Sequence, residues 1–276
     1  MPTPPLPLTR RNAGLPGLDT LDHGLLSANW MQRALVAALP LITLASFAGA
    51  YGARWYGLLP LIVLAHFVAS VGYLHDVAHG SAGIDARRTH WVLFAVSVAM
   101  LQSGHAFRYT HLFHHTHCLA HDDMEGAAAN MPLPAVLLSG PTYLKRLWCE
   151  AMRKSGSRRE RHWMVAEAAG ALTMAAGALW LTRWSVGPLL YCAFMVVGAW
   201  FYPLATAYLP HYKPGAAPLE QARTMRGVIV PVLFMNLTYH LEHHLYPQVP
   251  SFNLRRLARR LDPVFAARGL RPTQVY

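Results

Sequence analysis

The sequence predicts an all-α integral membrane protein, with four transmembrane helices in two hairpins and a cytoplasmic helical cap. Three observations carry that prediction. Of 276 residues, 54% are hydrophobic and only 13% charged, where a soluble domain carries about 25% charged residues. Four stretches are long and apolar enough to cross a bilayer, which takes roughly 20 residues. Of the 24 Lys and Arg, only Arg54 and Arg183 lie in the short turns between those stretches. The same composition excludes intrinsic disorder. Three scattered cysteines, Cys118, Cys149 and Cys192, exclude both a disulfide scaffold and an iron–sulfur cluster held by four thiolates. A formal charge of +11 would suggest nucleic acid in a soluble protein. Distributed as it is here, the charge reads as membrane topology, and no nucleic-acid partner is expected.

The N-terminal segment, residues 1–33, begins with the Pro-rich and polar stretch Met1–Pro16. Arg10 and Arg11 are followed by no apolar run, so the stretch reads as a flexible cytoplasmic tail without a cleavable signal. The membrane domain, residues 34–261, contains the spans Ala34–Gly52, Trp55–Leu74, Trp163–Thr182 and Val186–Leu209. Trp30, Trp55, Tyr56, Trp163, Trp180 and Trp184 sit at span ends, as an aromatic belt requires. The hairpins turn near Arg54 and Arg183, and the positive-inside rule places both termini and both large connecting segments in the cytoplasm. In a bacterium the membrane would be the cytoplasmic one.

Two apolar runs, Trp91–Gly104 and Gly227–Leu237, are too short to span and read as re-entrant or interfacial. A crossing at the first would also put histidines on opposite sides of the bilayer. Lys145–Arg161 mixes basic residues with Leu147, Trp148 and Met152, as a helix lying on an anionic leaflet does. Residues 262–276 form a C-terminal tail.

Sixteen histidines are the most unusual feature of the composition. His75-Asp76-Val77-Ala78-His79 follows the second span. His111-Leu112-Phe113-His114-His115 lies in the central segment, and His240-Leu241-Glu242-His243-His244 follows the second short apolar run. Helical positions i, i+3 and i+4 share a face. Each cluster is therefore a preformed half-shell of imidazoles, and ionisable groups at the membrane edge are functional by default. A catalytic zinc needs only three protein ligands, the HExxH signature is absent, and the one mid-span histidine, His66, has no mate for a haem. Eight or nine imidazoles suit two iron ions, each keeping an open position for oxygen.

The three boxes, together with Asn236-Leu237-Thr238-Tyr239-His240-Leu241-Glu242-His243-His244-Leu245-Tyr246-Pro247, resemble the membrane fatty acid desaturase superfamily from about His75 to Leu261. The resemblance implies a four-span fold with its boxes on the cytoplasmic face, a non-haem di-iron centre, molecular oxygen as co-substrate and an external electron donor. It also implies a further ligand between boxes two and three, for which His211 in Leu209-Pro210-His211-Tyr212 is the candidate. Asn236, four residues before His240, is a candidate for contacting an iron through water. Carboxylates behind the imidazoles would orient them, and Asp76, Asp122, Asp123 and Glu242 are placed in or just after the boxes. His117 and His121 fall off the face of box two and read as bystanders. His23, His66, His90, His105 and His162 read as structural or interfacial.

The reaction this resemblance favours is desaturation of an acyl chain in a membrane lipid. A carotenoid β-ring ketolase or hydroxylase is the alternative, because His-Asp-x-x-His-Gly, completed here by Gly80, and Leu-Pro-His are shared with that branch. No Cys-x-x-Cys, haem motif or Gly-rich dinucleotide loop is present, so electrons come from a ferredoxin-, rubredoxin- or cytochrome-type partner docking on the basic cytoplasmic face. A metal carrier without redox activity would show inverted repeats and broken helices at mid-membrane, whereas this sequence has no internal repeat and its histidine clusters lie outside the hydrocarbon.

Overall fold

The structure is a computed structural model, described here for residues 8–276. It is almost wholly helical. A short helix α1 (Leu18–Leu21) precedes α2 (Trp30–Gly52), which Asn29 and Gln32 open with a reciprocal capping box. Arg54 takes a left-handed conformation, φ 62°, in the turn to α3 (Leu59–Ala78). The first half of α3 is apolar. From Ala69 onward nearly every residue is buried, ending at His75, Asp76, Val77 and Ala78. Thus one helix carries the chain across the apolar layer and delivers the first histidines into the interior.

Helix α4 (Ala86–Ala99), capped by Asp85, runs back along α3 and stops at a turn through Leu101, where φ is 57°. Its last carbonyl is not left open. Tyr191 donates from its hydroxyl to Ala99 O at 2.8 Å and also meets His66 Nε2 at 2.9 Å. His66 Nδ1 in turn lies 2.9 Å from Thr43 Oγ1 and 3.1 Å from Pro40 O. His66 is therefore a polar bridge among α2, α3, α8 and the end of α4, which satisfies backbone groups where no water is at hand. Helix α5 (Gly104–His117) starts from the Ser103 cap and carries box two.

Helix α6 (Leu133–Lys154) and helix α7 (Arg158–Trp180) are separated by Ser155-Gly156-Ser157, with Ser157 capping α7. The expected single basic helix over Lys145–Arg161 is therefore two helix ends. Helix α8 (Gly187–Trp200) is the first part of the expected span Val186–Leu209. It loosens at Phe201 and continues through Tyr202-Pro203 into a π-helical turn over Leu204–Tyr208. Four helical stretches, His23–Gly52, Tyr56–Ala78, Arg158–Arg183 and Gly187–Tyr208, are long and apolar enough to cross a membrane. Outward-facing Leu35, Leu41, Leu61, Leu64, Leu172 and Val196 give them the exposed apolar surface that lipid would cover.

Beyond them follow β1 (Met225–Arg226), α9 (Ile229–Leu233), α10 (His240–Leu245) and α11 (Leu254–Ala267), and β2 (Thr273–Gln274) pairs in parallel with β1. Helix α11 runs through the expected boundary at Leu261. It buries Leu257, Leu261 and Phe265 against Leu8, Leu15, Leu25 and Tyr246. Leu8–Pro16 is thus packed rather than a flexible tail, held also by Tyr246 Oη donating to Pro16 O at 2.8 Å and by Arg268 donating to Ala13 O and Gly14 O. The expectation for the first seven residues lies outside the described part of the chain. Apolar residues spaced along Leu8, Leu15 and Leu25 are what the composition of the tail concealed.

Tyr191→Phe should cost about 1–3 kcal/mol of stability, because it leaves a buried carbonyl and a buried imidazole nitrogen unpaired. Reversible unfolding in mixed micelles would measure it.

Candidate metal centre

Three helices and one turn converge on a single buried pocket of imidazoles. Helix α3 ends in His75 and His79, α5 presents His111, His114 and His115, and α10 presents His240, His243 and His244. His211 follows the π-helical turn, its amide donating to Ala207 O at 3.1 Å. Four of them, His75, His79, His111 and His243, form one group. A second consists of His114, His211, His240 and His244. Within each group the candidate ligand atoms all lie within 4.8 Å of one another. His115 stands between the two, its Nε2 at 2.9 Å from His243 Nε2 and its ring 4.2 Å from that of His244. The structure thus brings together all nine histidines singled out in the sequence.

The nitrogens approach closely without facing one another as ordinary hydrogen-bond partners. His75 and His243 meet at 2.8 Å, His211 and His240 at 2.8 Å, and His114 and His211 at 3.1 Å. Yet the ring planes are crossed at 56°, 83° and 89°, with centroids only 4.1–4.9 Å apart. Lone pairs arranged this way converge on a point between the rings. His79 Nε2 and His111 Nε2 are buried with no hydrogen-bond partner at all, a cost that native interiors avoid unless something else takes the lone pair. Two groups of nitrogen donors, dry and convergent, fit two transition-metal ions.

The opposite ring nitrogens show how the tautomers are set. His111 Nδ1 lies 2.9 Å from Glu125 Oε1, and His114 Nδ1 lies 2.7 Å from Asp123 Oδ2. His211 Nδ1 donates to Gln221 O at 2.7 Å. A proton held at Nδ1 leaves Nε2 free to face the centre. Asp123 is itself fixed by the amides of Leu119 and Gly126, at 2.8 and 2.9 Å. Gly126 has no room for a side chain there, since a Cβ would run into the Asp123 carboxylate.

Burial, with neighbouring histidines adding to it, holds His111, His115, His240, His243 and His244 well below the ordinary imidazole value, and His211 down to about 3. They are neutral, as metal ligands must be. His114 runs the other way: burial lowers it, but the adjoining Asp123 carboxylate more than offsets that and raises it. Burial pushes Glu125 up to about 7.

Of the four carboxylates expected behind the imidazoles, only Asp123 accepts directly from one. Asp122 is turned outward, 3.7 Å from Lys154 Nζ, because the turn at Asp122-Asp123 points successive side chains to opposite sides. Asp76 accepts from Ser251 N and Oγ at 3.1 and 2.9 Å, and its oxygen stays 3.7 Å from His75 Nδ1. Glu242 accepts from Thr224 Oγ1 at 2.8 Å and Arg226 Nη2 at 2.6 Å. Asp76 fastens the segment after α10 to α3, and Glu242 fastens α10 to β1; neither accepts from a ligand imidazole. Asn236 does not share the helical face of His240. It sits in a turn with φ 62°, and α10 begins only at His240. Glu125 and the Gln221 carbonyl were not anticipated. The signal for Glu125 was present two residues after Asp123, whereas a carbonyl leaves none. His117 stacks on Phe113 at 4.0 Å, away from the nine, and His121, His23 and His162 are exposed.

The family model described as fatty acid desaturase matches residues 53–276, and the chain belongs to that family. No curated protein matches the chain.

Two expectations follow from this geometry. Asp123→Asn and Glu125→Gln should each weaken metal binding about 10–100-fold, whereas Asp122→Asn should leave it unchanged; metal titration of the purified proteins decides. The metal-free protein should also lose stability as pH falls below 6.5, the ordinary imidazole value. The unfolded chain takes up protons there that the buried imidazoles refuse until lower pH, so the stabilisation is present above 6.5 and lost on acidification. His114, Glu125 and Glu242, being raised, contribute in the opposite sense, but they are three groups against seven once His79 is included. Thermal melts across pH 4–8 would show the fall.

Proposed function

We propose that the protein is an oxygen-dependent di-iron desaturase acting on acyl chains of membrane lipids, with its histidine centre and both termini on the cytoplasmic side. The observation that carries this reading is the convergence of nine histidines, in two groups sharing His115, in a chain of the fatty acid desaturase family. The placement of Arg54 and Arg183 in the short turns supports the orientation.

Under this reading His75, His79, His111 and His243 hold one iron, and His114, His211, His240 and His244 the other, with His115 between them. Iron bound there supplies the one-electron redox chemistry by which dioxygen becomes able to oxidise an unactivated C–H bond. The chain's own tasks are narrower. Glu125, Asp123 and the Gln221 carbonyl keep a proton on Nδ1 of His111, His114 and His211, so that each Nε2 stays a donor. The burial of eight of the nine rings, with His79 half-buried, excludes water that would divert the oxidant. Asp76 with Ser251 keeps α10 seated on α3, and Glu242 with Thr224 and Arg226 ties α10 to β1.

Electrons enter from a separate protein. The exposed arginines of α11 support an acidic donor. Arg256 and Arg260 are engaged by Asp22, while Arg259 is exposed and turned outward near Tyr239, the residue before His240. Such a surface steers an acidic redox partner towards α10.

Mass spectrometry of lipid extracts tests the reading, in a bacterial host that also makes β-carotene. Acyl chains lacking two hydrogens are expected with the wild type and with His23→Ala, and not with His243→Ala or His114→Ala, both of which still insert. Carotenoids gaining oxygen would overturn the acyl substrate. Near-normal turnover by His243→Ala would overturn the di-iron assignment itself.

A further inference from the structure

Outside the nine histidines lies a second array of buried ionisable groups. Glu167, fully buried within α7, receives a hydrogen bond from Ser103 Oγ at 2.6 Å and from the His105 amide at 3.2 Å. His105 Nδ1 lies 2.6 Å from Glu167 Oε1, and His105 Nε2 lies 2.8 Å from His90 Nδ1. The indole of Trp163 lies parallel to both imidazoles, within 2° and at centroid distances of 5.3 and 5.8 Å. Beside both rings lies Glu160, half-buried, whose carboxylate is within 4.8 Å of a nitrogen of each and so makes a third candidate ligand for a metal.

Geometry argues against a metal here. The rings of His90 and His105 are coplanar within 2°, with centroids 5.1 Å apart. That separation is what results when two ring nitrogens 2.8 Å apart face each other in line, the arrangement of an N–H···N hydrogen bond. In the histidine centre equally short nitrogen pairs have crossed rings and closer centroids, because their lone pairs meet at an angle. His90 and His105 leave no point between them for an ion.

The inner end of the array opens on a cavity. Ser103 lines it together with Gln102, Ser97, Val71, Phe107 and Tyr202, and its volume of about 10 Å³ is room for one water. Gln102 Nε2 is buried and has no partner, which is what a water there would satisfy. Phe107 stacks on His111 at 5.1 Å, so the cavity lies one ring away from the histidine centre.

We propose that Glu167, His105 and His90 form a proton relay joining the surface beside Glu160 to the water-sized cavity on the flank of the histidine centre, from which that water, and not the Phe107 ring, carries the proton on. The proposal rests on the oxygen-dependent reading above. When a –CH2–CH2– unit becomes –CH=CH–, two C–H bonds break and one π bond forms. Dioxygen is reduced to two waters by two electrons from the substrate and two from the external donor. Two of the four hydrogens come from the substrate, and the other two are protons that must enter from solvent. A site sealed as tightly as this one needs a path for them.

The chemistry of the array supplies one. A proton taken up at His90 Nε2 releases the Nδ1 proton of His90 to His105 Nε2. His105 then passes its own Nδ1 proton to Glu167, and Glu167 discharges through Ser103 to the water in the cavity. Burial, with His105 and Arg159 nearby, holds His90 below the ordinary imidazole value, so it begins neutral. A second proton follows only after both rings have turned back, so protons are delivered singly.

The test has two parts. In metal-free protein with ¹⁵N-labelled histidine, the strongly hydrogen-bonded Nδ1 proton of His105 should give a downfield resonance that exchanges in D2O. Exchange should be slowed at least about tenfold in His90→Asn, which keeps a polar side chain but cannot pass a proton through itself. Added imidazole should restore the rate. In the iron-loaded enzyme with saturating donor, His90→Asn should lower kcat by a similar factor, raise the solvent isotope effect and respond to imidazole, with unchanged iron content. Exchange and isotope effect equal to wild type would overturn the relay. So would a slow variant that imidazole does not rescue, since that marks a packing role. If His90→Asn does not fold, His90→Gln replaces it. A wild type that oxidises no lipid would count against the proposed function, while the exchange measurement would still judge the relay.

Discussion

The arrangement depends on one constraint: nine imidazoles, eight of them buried and His79 half-buried, are packed together without enough hydrogen-bond partners to satisfy them. Neutral imidazole carries one donor and one acceptor. In this centre the donors are turned outward, to Glu125, Asp123 and the Gln221 carbonyl, for three of the rings. The acceptors are turned inward, towards each other. Acceptors facing acceptors repel and are cut off from water, so the folded chain carries a built-in deficit that a cation removes. A cation bound there would draw three distant stretches of chain to one place. The deficit also explains why so much of the surrounding polar structure works to hold them there.

That holding is done by different means on different sides. Helix α3 is the end of a membrane-capable helix, positioned by packing and by the His66–Tyr191 bridge, and α5 is held by Ser103 and His105 hydrogen-bonding Glu167 of α7. Helix α10 has only six residues and cannot stabilise itself. It is fastened by buried carboxylates: Asp76 reaches Ser251 beyond its C-terminal end, and Glu242 reaches Thr224 and Arg226 before its start. The charge of Glu242 is compensated by Arg226, which also binds Asp262 of α11. Burying an ion pair of this kind adds little stability by comparison with apolar packing, but it fixes register. Here the register is that of His240, His243 and His244 against the other two boxes.

Much of this was legible from residue types alone. Spans announce themselves by length and apolarity, and the i, i+3, i+4 spacing of His111, His114 and His115 survives into α5 because nothing in that stretch breaks a helix. What was illegible depended on contacts between distant residues. Asp122 and Asp123 are adjacent and chemically identical, yet one meets Lys154 and the other His114, and only the path of the turn separates them. Asn236 is correctly spaced for a helix that does not extend that far. Leu8, Leu15 and Leu25 looked like scattered apolar residues in a polar tail until α11 gave them an amphipathic face to cover.

Glu167 shows the same limit from the other side. Its position inside an apolar stretch makes it costly, and a carboxylate in such a place calls for a partner. The sequence offers many histidines and gives no means of choosing among them, because His90 and His105 lie far from Glu167 in the chain. The ring geometry makes the choice, and it also separates two uses of the same side chain. Imidazoles crossed at steep angles leave a point where an ion fits. Imidazoles coplanar and in line leave a hydrogen bond, and a hydrogen bond between two groups that each exchange donor for acceptor is a route for a proton. The chain uses both arrangements within one bundle, with Phe107 and a cavity the size of a water between them.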